Sequence, residues 1–262
     1  MAPPPALLAV HCRVADNVGD WHASPVDYFP FPLEVRRMHL RQLRPWHFGQ
    51  PMLVGGGGLL FFAKRLRRML ARKRAPMVAW GIGHNAHGES RVDYSGHDYL
   101  AGFDAVGVRD VGAPWPLVPC VSCMSPLFDD DYPEEHELVV YAHERFPVGG
   151  DTAGLPTLGN AADWPRVIRF LASARTVVTS SYHGAYWATL LGKRVVAVPF
   201  SSKFHAMPHP PTLAAPGQWA QALTQARSHA GALAACRAAS QFSIGSNSSM
   251  SPKAPKLSLI HI

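Results

Sequence analysis

Short apolar runs recur along the first part of this chain, and each one leads into glycine or polar residues. The runs cover residues 6–10, 52–54, 76–80 and 103–108, and the segments that follow them are 16–20, 55–58, 81–85 and 109–110. A continuous apolar run is typical of a parallel strand buried on both faces, and strands that alternate with helices form a parallel sheet. The pattern predicts an α/β fold with functional residues at the carboxyl ends of the strands.

A second α/β unit is predicted from residue 138 onward. Its strands are expected at 138–141, 176–178 and 195–198, and its helices at 163–174 and 185–191. Ser180 and Ser181 favour a helix start, and Gly192 suits the helix end. His183 then lies in the first turn of a helix that follows a strand. Open α/β sheets bind ligands at that position, and helix N-termini attract anions there.

Composition divides the chain into three parts. Residues 111–134 are rich in proline and show little periodicity, which favours a connection between domains. We therefore predict a Rossmann-like domain over 1–118, a second one over 119–240 that is truncated at its end, and a tail over 241–262. The tail is rich in serine, glycine and asparagine, so we expect it to be disordered or artefactual.

The bulk properties favour a cytoplasmic protein with a globular core. Of the 262 residues, 47% are hydrophobic. No stretch approaches the roughly 18 to 20 apolar residues that span a bilayer, and the start does not read as a signal peptide. Four cysteines are too few for a dense disulfide framework.

The formal charge of +7 and the pI of about 9.5 predict an anionic partner. Seven basic residues crowd together at Lys64, Arg65, Arg67, Arg68, Arg72, Lys73 and Arg74. Apolar residues recur between them at helical spacing, so 59–74 is predicted to be one amphipathic helix. Such a helix fits a solvated surface or peripheral contact with an anionic membrane. Nucleic acid is not expected, because the basic residues are not interleaved with aromatic ones.

The four glycines at 55–58 are a candidate ligand loop. Glycine lets a ligand approach the backbone closely, and the helix that follows favours a phosphate or carboxylate. The run lacks the spacing of a dinucleotide fingerprint and the Gly-Lys-Ser/Thr of a P-loop. A plain tight turn also fits it. Asn17 and Asp20 likewise fit an ordinary turn, and Arg109 with Asp110 fits a surface ion pair.

Metal binding is not expected. Cys120 and Cys123 form a single CxxC pair with no second pair to complete a zinc site, so we interpret them as incidental. Among the 14 histidines, the plausible ligands are His143, His183, His205 and His209. No HExxH motif is present.

Taken in order over residues 6–205, several short motifs resemble the polysaccharide pyruvyl transferase family. They are Asn17-Val18-Gly19-Asp20, the glycines at 55–58, Gly81-Ile82-Gly83, Val108-Arg109-Asp110, Tyr182-His183-Gly184, Leu191-Gly192-Lys193 and Phe200-Ser201-Ser202-Lys203-Phe204. The resemblance implies a GT-B-like fold, in which two Rossmann-like domains with parallel sheets face a cleft. It implies transfer of a pyruvyl group from phosphoenolpyruvate to a sugar of a cell-surface polysaccharide, forming a pyruvate ketal.

The same resemblance implies roles for the matching residues. His183 is expected to contact phosphate or to act as an acid, and Asp20 to orient or deprotonate the glycan acceptor. Arg109 and Lys203 are expected to bind the anionic donor. The other substrate-binding residues are expected to be Asn17, Gly19, Gly56, Gly57, Gly58, Gly83, Ser180, Ser181 and Tyr182. The resemblance implies no cofactor.

Ser181 departs from the family pattern, which often has an arginine two residues before the histidine. A neutral hydroxyl cannot make the bidentate contact of arginine. Arg109, Arg145 or Lys203 must then supply the charge, or the donor is another anion. Two alternatives therefore stay open: a GT-B glycosyltransferase that uses a nucleotide sugar, and a non-catalytic relative that binds glycan or phosphate.

Overall fold

Two parallel sheets of five strands each form the framework of residues 6–241, which are the residues that the computed structural model describes. The first sheet contains β1 (Ala6–His11), β2 (Glu34–His39), β3 (Met52–Gly55), β4 (Met77–Ile82) and β5 (Ala105–Val108). The second contains β6 (His136–Ala142), β7 (Thr157–Gly159), β8 (Ala174–Thr179), β9 (Arg194–Ala197) and β10 (Thr212–Leu213). The predicted α/β class with parallel, Rossmann-like sheets is confirmed at this level. The tail from 242 onward and residues 1–5 lie outside the described residues.

Helices cover both sheets. The α-helices are α1 (Val18–Trp21), α2 (Ala63–Leu70), α3 (Trp164–Ala172), α4 (Tyr182–Leu190), α5 (Trp219–Ala222) and α6 (Ala232–Ser240). Short 3₁₀ helices lie at Pro25–Asp27, Leu40–Gln42, Pro45–Gly49, Leu59–Phe62, Asp98–Gly102, Val121–Met124, Pro126–Phe128, Ser202–Ala206 and Leu223–Gln225. Among the described residues, no helix is both long enough and apolar enough to cross a membrane.

Both sheets have the same strand order. The first runs β2-β1-β3-β4-β5 and the second β10-β9-β8-β6-β7. In each sheet the first strand of the chain is followed by a second strand on one side of it, and the remaining three strands are then added on its other side. This is the flavodoxin-like order of doubly wound sheets. The change of side falls between β1 and β3 in one sheet and between β6 and β8 in the other. Ligands bind outside the carboxyl ends of strands at such switch points.

The strands predicted from apolar runs are all present, whereas three edge strands escaped sequence analysis. All residues of β3 and β4 are buried, as a parallel strand covered on both faces requires. β2 lies at the edge of its sheet, and its charged residues are mostly exposed. β7 and β10 lie at the edges of the second sheet and have only three and two residues. Strands of this kind carry no continuous apolar signal.

The amphipathic helix predicted over 59–74 is shorter than expected. A 3₁₀ turn, Leu59–Phe62, precedes α2, and the chain leaves the helix after Leu70. The Arg74 amide then donates to the Phe48 carbonyl at 2.9 Å. This long-range bond turns residues 71–74 away from the helix axis, which local spacing could not reveal. Leu66 and Met69 form the buried side of α2, as the periodicity predicted.

Helix α4 begins at the predicted cap. The Ser181 hydroxyl accepts a hydrogen bond from the Gly184 amide at 3.2 Å. At the other end, Gly192 has φ +72°, and its amide donates to the Thr189 carbonyl at 3.0 Å. The Lys193 amide donates to the Ala188 carbonyl at 2.9 Å, which completes a Schellman motif. All nine residues of α4 are buried.

Direct hydrogen bonds connect the two sheets' loops. The Val18 amide donates to the Asn160 carbonyl at 3.0 Å, and the Gly88 amide donates to the Phe200 carbonyl at 3.0 Å. His22 stacks on Trp164 with ring centroids 4.6 Å apart. These contacts hold the carboxyl ends of the two sheets next to each other. The domain boundary expected between 118 and 119 stays a prediction.

Candidate functional site

A cavity of about 210 Å³ opens where the loops that follow the two switch points meet. Eight of the residues predicted to be catalytic or substrate-binding line it: Asn17, Asp20, Gly57, Gly58, Arg109, Tyr182, His183 and Lys203. They come from the ends of strands in both sheets, and 186 positions separate the first of them from the last. We call this cavity the cleft. Its position agrees with the rule that open α/β sheets bind ligands at switch points.

The first loop of the cleft is held by its own side chains. The Asn17 side chain accepts from the Gly19 amide at 3.2 Å and so caps α1. The Asp20 carboxylate accepts from the Val14 amide at 3.2 Å. Burial raises the pKa of Asp20 to about 6, although the charges of Lys203 and Arg109 oppose the shift. The Asp20 carboxyl group therefore gains or loses its proton close to neutral pH.

Gly19 is a point of contact between the two units. A Cβ built at this position would overlap the imidazole ring of His183. Only glycine therefore allows α1 to approach the start of α4 this closely. Gly19 does not line the cleft; its role is to let His183 take its place there.

The glycine loop after β3 needs two left-handed backbone positions. Gly56 has φ +77° and Gly57 has φ +82°, a region that other residues rarely adopt. A Cβ at Gly56 would overlap the carbonyl oxygen of Ala23, whereas Gly57 faces open space. Gly57 and Gly58 line the cleft and Gly56 does not. Gly83 is also outside it, because its backbone packs against Arg109.

Arg109 is a buried cation beside the cleft, which corrects the interpretation of Arg109 and Asp110 as a surface pair. The side chain of Arg109 is 2% exposed, and its guanidinium lies 4.3 Å from the centre of the Tyr182 ring. Its Nη2 donates to the His84 carbonyl at 3.3 Å. Its Nε has no hydrogen-bond partner among the described residues and lies 3.9 Å from Asp110 Oδ1. A guanidinium with a spare donor is suited to an anionic ligand.

The Asp110 carboxylate is bound to the protein through Oδ2, while Oδ1 is buried without a hydrogen-bond partner among the described residues. One carboxylate oxygen accepts from the His84 amide at 2.7 Å and from the Tyr94 hydroxyl at 2.9 Å. These bonds fix the loop after β4 against the loop after β5. Asp110 therefore joins these two loops and lies beside the Arg109 guanidinium.

His183 stands in the first turn of α4 and is 6% exposed. Its ring stacks on Trp187 with centroids 5.2 Å apart. Its Nε2 lies 3.6 Å from the Cys120 sulfur, so the other ring nitrogen is the one next to Gly19. Burial lowers the pKa of His183 well below its usual value, and the nearby charges of Arg109 and Lys203 act in the same direction. The free protein thus holds a neutral imidazole at this position.

The contact between Cys120 and His183 was not foreseen. The CxxC pair was interpreted as incidental, and both thiols are free and buried. Cys120 nevertheless contacts the ring of a cleft histidine that lies 63 residues away. Burial raises the pKa of the Cys120 thiol, so the sulfur keeps its proton. No local pattern in the sequence could indicate a contact over this separation.

Lys203 is the second cation of the cleft. Its ammonium lies 4.6 Å from the centre of the Phe200 ring and 5.9 Å from that of Tyr182. Burial lowers the pKa of Lys203 to about 7, and the charge of Arg109 contributes to the shift. Asp20 and Lys203 therefore have pKa values close to each other, near neutral pH.

Ser180 and Ser181 are buried and do not line the cleft. The Ser180 hydroxyl accepts from the His143 amide at 3.0 Å, and the Ser181 hydroxyl caps α4. Both hydroxyls thus have structural roles. Ser181 is only 3% exposed and supplies no charge to the cleft.

One wall of the cleft was not among the predicted substrate-binding residues, although His143 was considered as a metal ligand, Arg145 as a source of charge, and Phe200 as part of a family-like motif. The additional lining residues are Val14, Asp16, Asn85, His87, His143, Glu144, Arg145, Phe146, Asn160 and Phe200. Phe146 and Phe200 stack in parallel with centroids 3.9 Å apart, and the His143 ring lies 5.1 Å from Phe200. The segment 143–146 follows β6 at the second switch point. That position, which matches the place of Asn17 after β1, was the signal available in the sequence.

No group of three or more His, Cys, Asp or Glu side chains within 6–241 is arranged to hold a metal ion. The four candidate histidines are scattered. His143 and His183 line the cleft, His205 is exposed, and the His209 ring lies 5.6 Å from that of His229.

No protein-family model matches this chain, and a search among curated proteins finds no match either. The chemistry that the cleft can perform is therefore inferred from the residues that line it. The cleft brings together two cations, a carboxylate of raised pKa and a neutral imidazole, all at the ends of parallel strands. Such a set can bind a small anion and transfer protons near neutral pH.

Proposed function

We propose that this protein is a polysaccharide pyruvyl transferase-like enzyme with a GT-B-like arrangement of its two sheets. The reaction moves the pyruvyl group of phosphoenolpyruvate onto a sugar of a cell-surface polysaccharide. The observation that carries the proposal is the pairing, in one cleft, of the buried Arg109 and the partly buried Lys203 with Asp20 and His183. Phosphoenolpyruvate has a phosphate and a carboxylate, and both need cations in a site removed from water.

The size of the cleft supports a small donor. Its volume of about 210 Å³ is below the roughly 300 to 1,000 Å³ of pockets that enclose drug-sized ligands. A three-carbon phosphate ester suits this space better than a nucleotide sugar does. The guanidinium of Arg109 and the ammonium of Lys203 are the groups that we assign to its anionic ends.

The proposed reaction requires two proton transfers from the sugar hydroxyls. Ketal formation adds a proton to the methylene carbon of the donor, joins one sugar oxygen and then a second to C2, and breaks the bond from C2 to the phosphate oxygen. The two hydroxyl protons that the sugar loses balance the proton gained at carbon and the one that leaves with phosphate. Asp20, with a pKa of about 6, serves as the base for a hydroxyl.

His183 is assigned to the phosphate side. A neutral imidazole can donate one hydrogen bond, and a bound phosphate favours its protonation. The ring is fixed by Cys120 on one edge and by Trp187 on its face. His183 is thereby held ready to receive the phosphate or to pass a proton to the donor.

The test is to incubate the protein with phosphoenolpyruvate and candidate glycans, and to measure phosphate release together with the product mass. A pyruvyl ketal and one phosphate per product are expected. The His183→Ala variant should lose about 10²- to 10⁴-fold in turnover, and His205→Ala, which changes an exposed histidine on the next loop, should keep it.

Thermal shift separates the proposal from its alternatives. Stabilisation by phosphoenolpyruvate supports the pyruvyl transferase. Stabilisation by a nucleotide sugar alone would indicate a glycosyltransferase, and stabilisation by glycan alone would indicate a binding protein. Near-normal turnover of His183→Ala would remove His183 from the chemistry.

A further inference from the structure

The segment 35–88, which contributes to the first sheet, carries many positive charges and no negative ones. From residue 35 to residue 88 the chain contains no aspartate or glutamate, whereas it contains eleven lysines and arginines. This segment alone therefore carries more positive charge than the formal +7 of the whole chain. Such asymmetry creates a local field that attracts anionic partners.

The basic residues converge in space because two long-range contacts fold the segment together. The Arg65 side chain donates to the Leu40 and Arg41 carbonyls, both at 2.8 Å. The Arg74 amide donates to the Phe48 carbonyl. Helix α2 thus packs beside the 3₁₀ helices Leu40–Gln42 and Pro45–Gly49.

Seven exposed cations of this segment have no acidic partner among the described residues. They are Arg41, Arg44, Lys64, Arg67, Arg68, Arg72 and Arg74, and we call them the basic face. By contrast, Lys73 of the same segment pairs with Asp104 at 2.7 Å. The basic face is therefore charge that the fold itself does not neutralise.

Two large aromatic side chains accompany the basic face. Trp46 is 71% exposed and Phe61 is 68% exposed, the two highest values among the described large hydrophobic residues that are exposed. The Phe61 ring packs edge-on against Phe62 at 5.4 Å, and the Arg41 guanidinium lies 5.8 Å from the Phe62 ring. Exposed aromatics beside cations are typical of surfaces that enter the headgroup region of a bilayer.

We propose that the basic face, with Trp46 and Phe61, binds the surface of a bilayer that contains anionic lipid. Juxtaposed lysines and arginines are attracted by anionic headgroups within a Debye length, and the two aromatic rings insert at the boundary of headgroups and acyl chains. The proposal is independent of the reaction, because none of these residues lines the cleft.

The test is co-sedimentation of the full chain with vesicles of phosphatidylglycerol and phosphatidylcholine in equal amounts, with pure phosphatidylcholine for comparison. Binding to the anionic vesicles is expected, and it should weaken strongly when salt is raised to about 0.5 M. Arg68→Glu with Arg72→Glu should reduce the partition coefficient by roughly tenfold or more. The matched control is Arg166→Glu with Arg169→Glu, which reverses two exposed charges on α3.

Trp46→Ser and Phe61→Ser provide variants that leave the charge unchanged, and each should weaken vesicle binding several-fold without altering the unfolding temperature. The proposal is overturned if the wild-type chain does not bind phosphatidylglycerol vesicles at low salt. It is overturned as well if the Arg166→Glu and Arg169→Glu control loses as much binding as the Arg68→Glu and Arg72→Glu variant. A third contradicting outcome is that duplex DNA at the same salt displaces the vesicles completely and that Trp46→Ser does not weaken vesicle binding.

Discussion

The two halves of the molecule share a strand order and differ in how they build their side of the cleft. In the first half, the chain leaves β3 through glycines with positive φ and enters a short 3₁₀ turn. In the second half, the chain leaves β8 through a serine cap and enters α4, all of whose residues are buried. One side of the cleft is a loop of backbone, and the other is the end of a core helix.

This difference assigns different tasks to the two halves. The loop side offers close backbone approach and the carboxylate of Asp20, while the helix side fixes His183 within a packed aromatic environment. Substitutions on the loop side should therefore change activity more than stability. Substitutions in α4 should change stability first, because every residue there is part of the core.

The largest effect is expected where the two sides touch. In Gly19→Ala, the new methyl group would overlap the His183 ring, so the ring must move. A displacement of about 1 Å at a catalytic group costs on the order of 10²-fold in rate. Phosphate release should fall by that amount, and the urea midpoint should fall as well, because the ring that must move is packed in the core. Gly49→Ala is the control, since nothing lies within 4 Å of its Cβ position. Equal rates for both variants would contradict the close contact.

Gly184→Ala should reveal the packing of the helix side. Alanine is normally favoured over glycine inside a helix by about 1 kcal/mol. Here its Cβ would overlap the Tyr141 ring of β6 and lie 2.7 Å from Thr179 Oγ1. Overpacking of this kind costs typically about 1 to 3 kcal/mol, so the free energy of unfolding should fall. Gly102→Ala meets only Leu70 at ordinary distance and should be nearly neutral. A stabilised Gly184→Ala protein would show that α4 has room to shift.

A variant of Lys203 tests whether burial of this ammonium group beside the cleft lowers the free energy of unfolding. The fold lowers the pKa of Lys203 from 10.5 to about 7. The unfolded chain therefore binds this proton more tightly, and the free energy of unfolding falls as the pH decreases from about 10.5 to about 7. Lys203→Met removes this penalty, so its Tm at pH 7 should exceed that of the wild type by about 2 to 4 °C per kcal/mol regained.

The pH dependence of this difference in Tm shows whether it comes from the charge of Lys203 or from packing. The difference in Tm between Lys203→Met and the wild type should shrink as the pH approaches 10.5, because both proteins then carry an uncharged side chain at this position. The exposed Lys64→Met serves as the control and should give no such trend. A pH-independent difference would mean that methionine stabilises by packing alone.

Sequence patterns predicted the central strands because these strands are buried on both faces, and burial leaves a continuous apolar run. Val195 and Val196, for example, are 1% and 0% exposed. The same reasoning failed for β2, an edge strand in which three of the six residues are exposed, Glu34 and Arg36 among them, and none is buried. Edge strands are specified by their neighbours rather than by their own hydrophobicity.

The candidate site was predictable to the extent that strand order places loops together. Loops that follow adjacent strands of a parallel sheet meet at one edge, which brought Asp20 and Gly57 together. His183 follows a strand of the second sheet and joins them because α1 packs against the start of α4. The wall at Phe146 and Phe200 depends on ring stacking between loops 54 residues apart, which no local pattern encodes. For Ser181 the sequence predicted the helix cap correctly and also suggested substrate binding, because a hydroxyl that caps a helix and one that binds a ligand look the same in sequence.

Ser181 gives the smallest expected effect and bears directly on the difference between the two halves. Loss of an N-cap costs typically about 1 kcal/mol, so Ser181→Ala should lower the free energy of unfolding by that amount and leave turnover nearly unchanged. Asp163→Ala removes the cap of α3, where the carboxylate accepts from the Arg166 amide at 3.2 Å, and should cost about the same. If Ser181→Ala instead lost turnover at full stability, its hydroxyl would have to contact the substrate. The helix side of the cleft would then take part in binding through its cap as well as through His183.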